Sequence, residues 1–210
     1  MPTVAELMSL HADRVPPEAT LAEAAALMVG AKISSVIVVD RDQAIGIVTE
    51  GDMLHAMRQH RDPSLPITTI MTAPVHTVAA DVDFRAAYRD AARLGIRHLV
   101  VVDQEGKALG VVSESGIRQH LGLDFFRELN NVDALMERNF PRLPASASLD
   151  DALTAMEAVR MTCVVVIEGK TPIGIVTEGD VVRLYLQSTG SPTLGEVMTA
   201  PIASVASNST

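Results

Sequence analysis

The stretch Gly46-Ile47-Val48-Thr49-Glu50-Gly51-Asp52 decides how the whole chain is organised. It returns as Gly110-Val111-Val112-Ser113-Glu114-Ser115-Gly116 and again as Gly174-Ile175-Val176-Thr177-Glu178-Gly179-Asp180, each copy 64 residues after the last. Similarity at a fixed period makes the chain an array of one structural unit. Upstream of each copy lies a β-branched run, Val36 to Val39, Leu99 to Val102 and Val164 to Ile167, closed by Asp40, Asp103 or Glu168 and a short polar turn. Run and motif together read as a strand hairpin. Strands this continuously apolar need helices over at least one face.

Further upstream stand Thr20-Leu21-Ala22-Glu23, Asp83-Phe84-Arg85-Ala86 and Ser148-Leu149-Asp150-Asp151, each an N-cap opening an Ala-rich helix. The first and third have capping-box form. A second helix is expected after each hairpin, at 51–60, 115–121 and 179–187, and a short strand at the head of the unit, for example Val75 to Val78. The fold class is therefore α/β (α+β), a repeated β-α-β-β-α unit. The expected divisions are unit 1 over 1–62, unit 2 over 66–121, a connector over 122–131 containing Phe125 and Phe126, and unit 3 over 132–188. Val197-Met198-Thr199-Ala200-Pro201-Ile202 repeats Ile70-Met71-Thr72-Ala73-Pro74-Val75, so residues 194–210 read as the start of a fourth, truncated unit and the chain as a fragment of a longer polypeptide.

Composition narrows the function. Apolar residues make up 48% of the 210 and charged residues 20%, which suits a folded chain with a large core. Seventeen Lys and Arg against 26 Asp and Glu leave a net charge of −9, opposing attraction to nucleic acid or an anionic membrane. Aromatics are only 3%, too few for base-stacking platforms. Cys163, the one cysteine, sits among apolar neighbours and reads as a packed thiol in a reducing, cytoplasmic setting. No apolar run is long enough to span a bilayer. His55 and His60 are five residues apart, not the four that would stack them on one helix face, so no metal site is expected. The ten methionines, such as Met28 and Met156, read as core packing. Nucleotide-loop and nucleophile-elbow motifs are absent, and no catalytic residues are assigned.

The opening Met71-Thr72-x-x-Val75, the helix ending Leu27-Met28, the strand over Ile33 to Asp40 and the three ordered copies of Gly-h-h-Thr-x-x-Asp (h apolar) resemble tandem CBS domains, which pair into Bateman modules. The resemblance implies three complete units, a fourth cut short, and a regulatory module for adenosine ligands (AMP, ADP, ATP or S-adenosylmethionine) that needs no cofactor and is not an enzyme. It also implies that units pack sheet to sheet, that the motif Asp takes ribose hydroxyls and that the Thr lies near phosphate. Arg97 and His98 occupy positions that the resemblance assigns to residues reaching phosphate.

The residues themselves suit those roles. An ionised carboxylate only accepts, and can take two donors from a vicinal diol. Thr49 stands where a helix begins, beside free N–H groups that attract anions. Ile47 and Val75 offer an apolar slot with backbone partners for adenine. Thr49-x-x-Asp52 and Thr177-x-x-Asp180 equally fit an acidic capping box, so at this level both readings stand. One competent site is expected from Ile47, Thr49 and Asp52 with Val75, Arg97 and His98. A second, incomplete one is expected from Thr177, Asp180 and Ile202. Gly116 replaces the Asp in unit 2, and Ser34 and Ser35 stand where a phosphate-facing cation would be sought.

The expected function is a homodimeric sensor that controls an output domain outside this chain. The spelling of residues 122–136 is similar to bacterial signalling proteins carrying PAS, diguanylate cyclase or phosphodiesterase domains. The competing reading is a ligand-free dimerisation scaffold in which Thr49 and Asp52 are caps.

Overall fold

The computed structural model describes residues 2–9, 13–113, 136–185 and 192–206. The expected connector at 122–131, the helix at 115–121 and the motif residues Glu114, Ser115 and Gly116 lie outside them. In order, the elements are α1 (Val4–Leu7), β1 (Arg14–Val15), α2 (Leu21–Ala31), β2 (Ser35–Asp40), β3 (Gln43–Thr49), α3 (Glu50–Arg58), a 3-10 turn (Ile67–Thr69), β4 (Thr77–Ala79), α4 (Phe84–Leu94), β5 (His98–Val102), β6 (Ala108–Ser113), β7 (Arg142–Pro144), α5 (Leu149–Val159), β8 (Cys163–Glu168), β9 (Thr171–Thr177), α6 (Glu178–Tyr185) and α7 (Leu194–Val197). The chain divides into two compact units, 1–52 with 62–125 and 53–61 with 126–210, so that the division falls inside α3.

Each repeat builds the same three-stranded sheet, β1-β2-β3, β4-β5-β6 and β7-β8-β9. The first strand runs parallel to the second, and the second and third form an antiparallel hairpin. The first strand of repeat two covers Thr77–Ala79 rather than Val75 to Val78, because the parallel ladder with β5 begins only at Thr77 opposite Val100. The helices start as their caps dictate: Thr20 and Ser148 close reciprocal boxes with Glu23 and Asp151, while Asp83 accepts from the N–H groups of Arg85 and Ala86. The motif helices begin at Glu50 and Glu178, one residue earlier than expected, since Thr49 and Thr177 act as N-caps.

Sheet alternation sends successive side chains of β5 to opposite faces. Leu99 and Val101 join Val112, Phe84, Ala87 and Ala91 on the α4 face, and Val4 and Leu7 of α1 complete that cluster. Val100 faces the other way and packs with Val111, Ala108, Ile37 and Ile47, so the sheets of repeats one and two meet face to face. Gln43 and Lys107, at matching positions of the two hairpin turns, form an antiparallel bridge across this junction, and Lys107 Nζ lies 3.1 Å from Asp42 Oδ2.

The short opening segments are exchanged between the paired repeats. Val4 and Ala5 donate to Val82 and Ala80 of repeat two, whereas Ile67 donates to Ala19 and Leu21 donates to Leu65, docking the second opening on repeat one. Leu194 and Gly195 donate to Ala147 and Ala145, so α7 serves repeat three as the Ile67 turn serves repeat one. The motif glycines permit this docking. A Cβ at Gly46 would stand 2.6 Å from Met71 Sδ, one at Gly110 2.5 Å from the Ser9 carbonyl oxygen, and one at Gly174 would collide with Met198. At Gly46 and Gly174 the Met of the opening and the Gly of the motif are thus two halves of one contact, whereas Gly110 is approached most closely by backbone.

Candidate functional site

The first motif copy forms the junction of β3 and α3. Thr49 follows Ile47 by two residues and so lies on the sheet face that meets repeat two. Its N–H and hydroxyl both donate to Asp52 Oδ2, at 2.8 and 2.7 Å, and the Asp52 N–H reaches Thr49 Oγ1 at 3.4 Å. The capping role is therefore made in full. It uses one carboxylate oxygen, and among the described residues no hydrogen bond to Oδ1 is made. The Glu50 N–H donates to the Ser34 carbonyl at 3.0 Å, tying the helix start to the segment that leads into β2.

Repeat two reaches this junction through His98. Its Nε2 is 3.0 Å from Ser34 Oγ, and the pair is half-buried. Burial, and secondarily the charge of Arg97, push the His98 pKa down from 6.5 to about 4. His98 is therefore neutral at neutral pH and carries no charge with which to neutralise a phosphate, unlike the expectation. Arg97 is exposed and borders a different hollow, of about 240 Å³, whose other walls include Tyr88, Ile96, Leu99 and Val112 on the α4 side of the sheet.

Ile47 and Val75 do come together, in the cluster between repeats one and two. The Ile47 backbone is engaged by the second opening: its N–H donates to the Thr72 carbonyl at 3.2 Å and its carbonyl accepts from the Thr72 N–H at 2.9 Å.

The third motif copy repeats the box, with Thr177 donating to Asp180 Oδ2 at 2.9 and 2.7 Å. Asp180 is only 5% exposed, and its Oδ1 is met by Arg183 Nη2 at 3.1 Å. The matching residue of the first copy, His55, instead lies 2.6 Å from the Gln59 side chain. Sequence reasoning passed over Arg183, although its i,i+3 spacing from Asp180 was a legible signal. It took Ser34 as a missing cation, and no local feature marks it as the partner of His98. Ile202 is half-buried, and the opening of the fourth repeat docks through a Thr199–Ile175 bridge. Among the described residues no three His, Cys, Asp or Glu side chains gather as a metal site, and no helix is long and apolar enough to cross a membrane.

Known proteins share this arrangement. Protein MJ1225 of Methanocaldococcus jannaschii is 28% identical over 163 residues, 71% of this chain and 57% of its own length. Its crystal structure superposes with a TM-score of 0.82 at 18% identity in the aligned region, covering 96% of this chain and 84% of that one. Protein MK0525 of Methanopyrus kandleri is 37% identical over 106 residues, 49% of this chain and 54% of its own. The chain thus spans little more than half of these curated relatives. The CBS domain protein PAE2072 of Pyrobaculum aerophilum, solved in complex with AMP, is 26% identical with a TM-score of 0.55, covering 61% of this chain and 98% of that one. The CBS-domain family model matches residues 4–59, 67–122 and 132–187, three copies that coincide with the three sheets, and the chain belongs to the CBS-domain family.

Proposed function

We propose that the first two CBS units bind an adenosine compound (AMP, ADP, ATP or S-adenosylmethionine) as a regulatory ligand, and that the chain is a cytoplasmic sensor for an output domain rather than a catalyst. The observation that carries this reading is the Thr49–Asp52 box with Oδ1 left over, placed where His98 of the second unit arrives at Ser34. Asp52 Oδ1 accepts from a ribose hydroxyl, the α3 N-terminus and Thr49 receive the anionic end, and Ile47 and Val75 wall the base. Arg97 enters this reading through its charge, which adds to burial in keeping His98 neutral. The AMP complex of the related protein PAE2072 supports the ligand class. Ligand bridging two units favours one arrangement of the pair, and that preference is the regulatory signal.

Titration calorimetry with the four compounds, on the wild type and Asp52→Ala, tests the reading. Binding to the wild type that is lost in the variant is expected; equal heats in both remove Asp52 from the site. The cap is made entirely by Thr49 and Asp52, which supports a second reading, a scaffold in which the two serve only as caps. A melting temperature indifferent to all four compounds would establish it.

A further inference from the structure

The two motif carboxylates are capped alike and finished differently. Thr49 and Thr177 each give an N–H and a hydroxyl to one oxygen of the Asp three residues on. The other oxygen depends on the residue three places further along the same helix. In α6 this is Arg183, whose Nη2 is 3.1 Å from Asp180 Oδ1. In α3 it is His55, whose ring lies 2.6 Å from the Gln59 side chain, and among the described residues no hydrogen bond is made to Asp52 Oδ1. Asp180 is buried, whereas Asp52 is half-buried. Asp180 and Arg183 belong to one helix, so their contact is fixed within the third motif itself.

An exposed i,i+3 ion pair contributes little, but this one has a buried acceptor. Drawing Arg183 away would leave a buried carboxylate oxygen without its donor unless another donor arrives. A ribose hydroxyl is such a donor, yet it is neutral and would replace a charge-assisted bond roughly twice as strong. A phosphate changes the balance, because it offers the displaced guanidinium a new partner of matching geometry.

We propose that the side chain three residues beyond the motif Asp is the specificity determinant of each motif. Arg183 closes the Asp180 box to uncharged nucleosides and admits a ligand that brings an anionic group. His55, engaged by Gln59, leaves the Asp52 box open to nucleosides with or without phosphate. Both residues act through the carboxylate. The inference rests on the reading of Asp52 as the acceptor of a ribose hydroxyl, and adds that two boxes of almost the same spelling answer to different ligand charge.

The first unit provides the test, because His55 is exposed and its replacement leaves the core alone. Titration calorimetry with adenosine and with AMP compares the wild type, His55→Arg and His55→Gln. In His55→Arg the new guanidinium takes Asp52 Oδ1, so the dissociation constant of adenosine should rise about tenfold or more and that of AMP by about threefold or less. His55→Gln removes the ring without supplying a cation and should leave both constants within about twofold. Damage to the helix would weaken both ligands equally, so the ratio of the two constants is the readout. Double-mutant cycles in urea add a ligand-free measurement: Arg183→Gln with Asp180→Asn should show coupling, and His55→Gln with Asp52→Asn none. A ratio unchanged by His55→Arg, or equal coupling in the two cycles, overturns the proposal, while binding that still vanishes in Asp52→Ala leaves the ribose reading in place. Wild-type binding indifferent to Asp52→Ala, or no binding at all, removes both.

Discussion

Nε2 of His98 and Oγ of Ser34 lie 3.0 Å apart although 64 residues separate them in the chain. The contact joins the two paired units beside the first motif. It pairs a neutral imidazole with a hydroxyl, so it carries no net charge into the half-buried junction, and protonating the imidazole would be costly there.

His98 therefore makes stability depend on pH. Its folded-state pKa lies below its ordinary value, so the unfolded chain takes up a proton first as pH falls. The stabilisation is fully present above about pH 6.5 and is lost as pH drops toward about 4. Its full size is on the order of 3 kcal/mol or less. Urea melts at pH 7 and 4.5 should show the wild type losing more stability than His98→Gln over that interval. Equal losses would contradict a depressed pKa.

Arg97→Ala removes the smaller of the two causes of that depression. The His98 titration followed by NMR should move upward while staying below 6.5, because burial remains. A midpoint that does not move would mean that the Arg97 charge does not reach the imidazole.

Asp52→Asn separates the cap from the proposed ribose contact. Asparagine at this third helical position keeps an oxygen that can accept from the Thr49 N–H and hydroxyl and loses only the charge at the helix start, so stability should fall by about 1 kcal/mol or less. The lost negative charge and acceptor capacity should weaken the adenosine ligand about tenfold or more, by about 1.4 kcal/mol. Calorimetry paired with urea melts checks both halves. Asp180→Asn should cost more stability than Asp52→Asn, since Asp180 is nearly buried and also paired with Arg183.

Gly110→Ala should destabilise more than Gly46→Ala. The new methyl meets the backbone oxygen of Ser9 in the first case and the movable side chain of Met71 in the second. Losses of about 3 and about 1 kcal/mol are expected. In the second case Met71→Ala should relieve part of the loss, a coupling that a double-mutant cycle measures.

Val4→Ala should loosen the second unit and spare the first. Val4 is fully buried among Leu99, Phe84 and Ala87, so the cavity should cost about 2 kcal/mol. Hydrogen exchange should rise in α4 and β5 before it rises in α2. The reverse order would contradict the exchange of opening segments.

The repeat, its hairpins and its helix caps were legible in the sequence because each rests on contacts within a few residues: Thr20 with Glu23, Ser148 with Asp151, Thr49 with Asp52. The same locality made the motif carboxylates recognisable as caps as well as ligand groups. Which opening segment packs on which unit, that Ser34 meets His98, that Arg97 borders the hollow beside α4 and that Thr72 takes the backbone of Ile47 were decided only in three dimensions. Those contacts join residues tens of positions apart, and their geometry follows from how one sheet face lies on another, which no local pattern of side chains encodes.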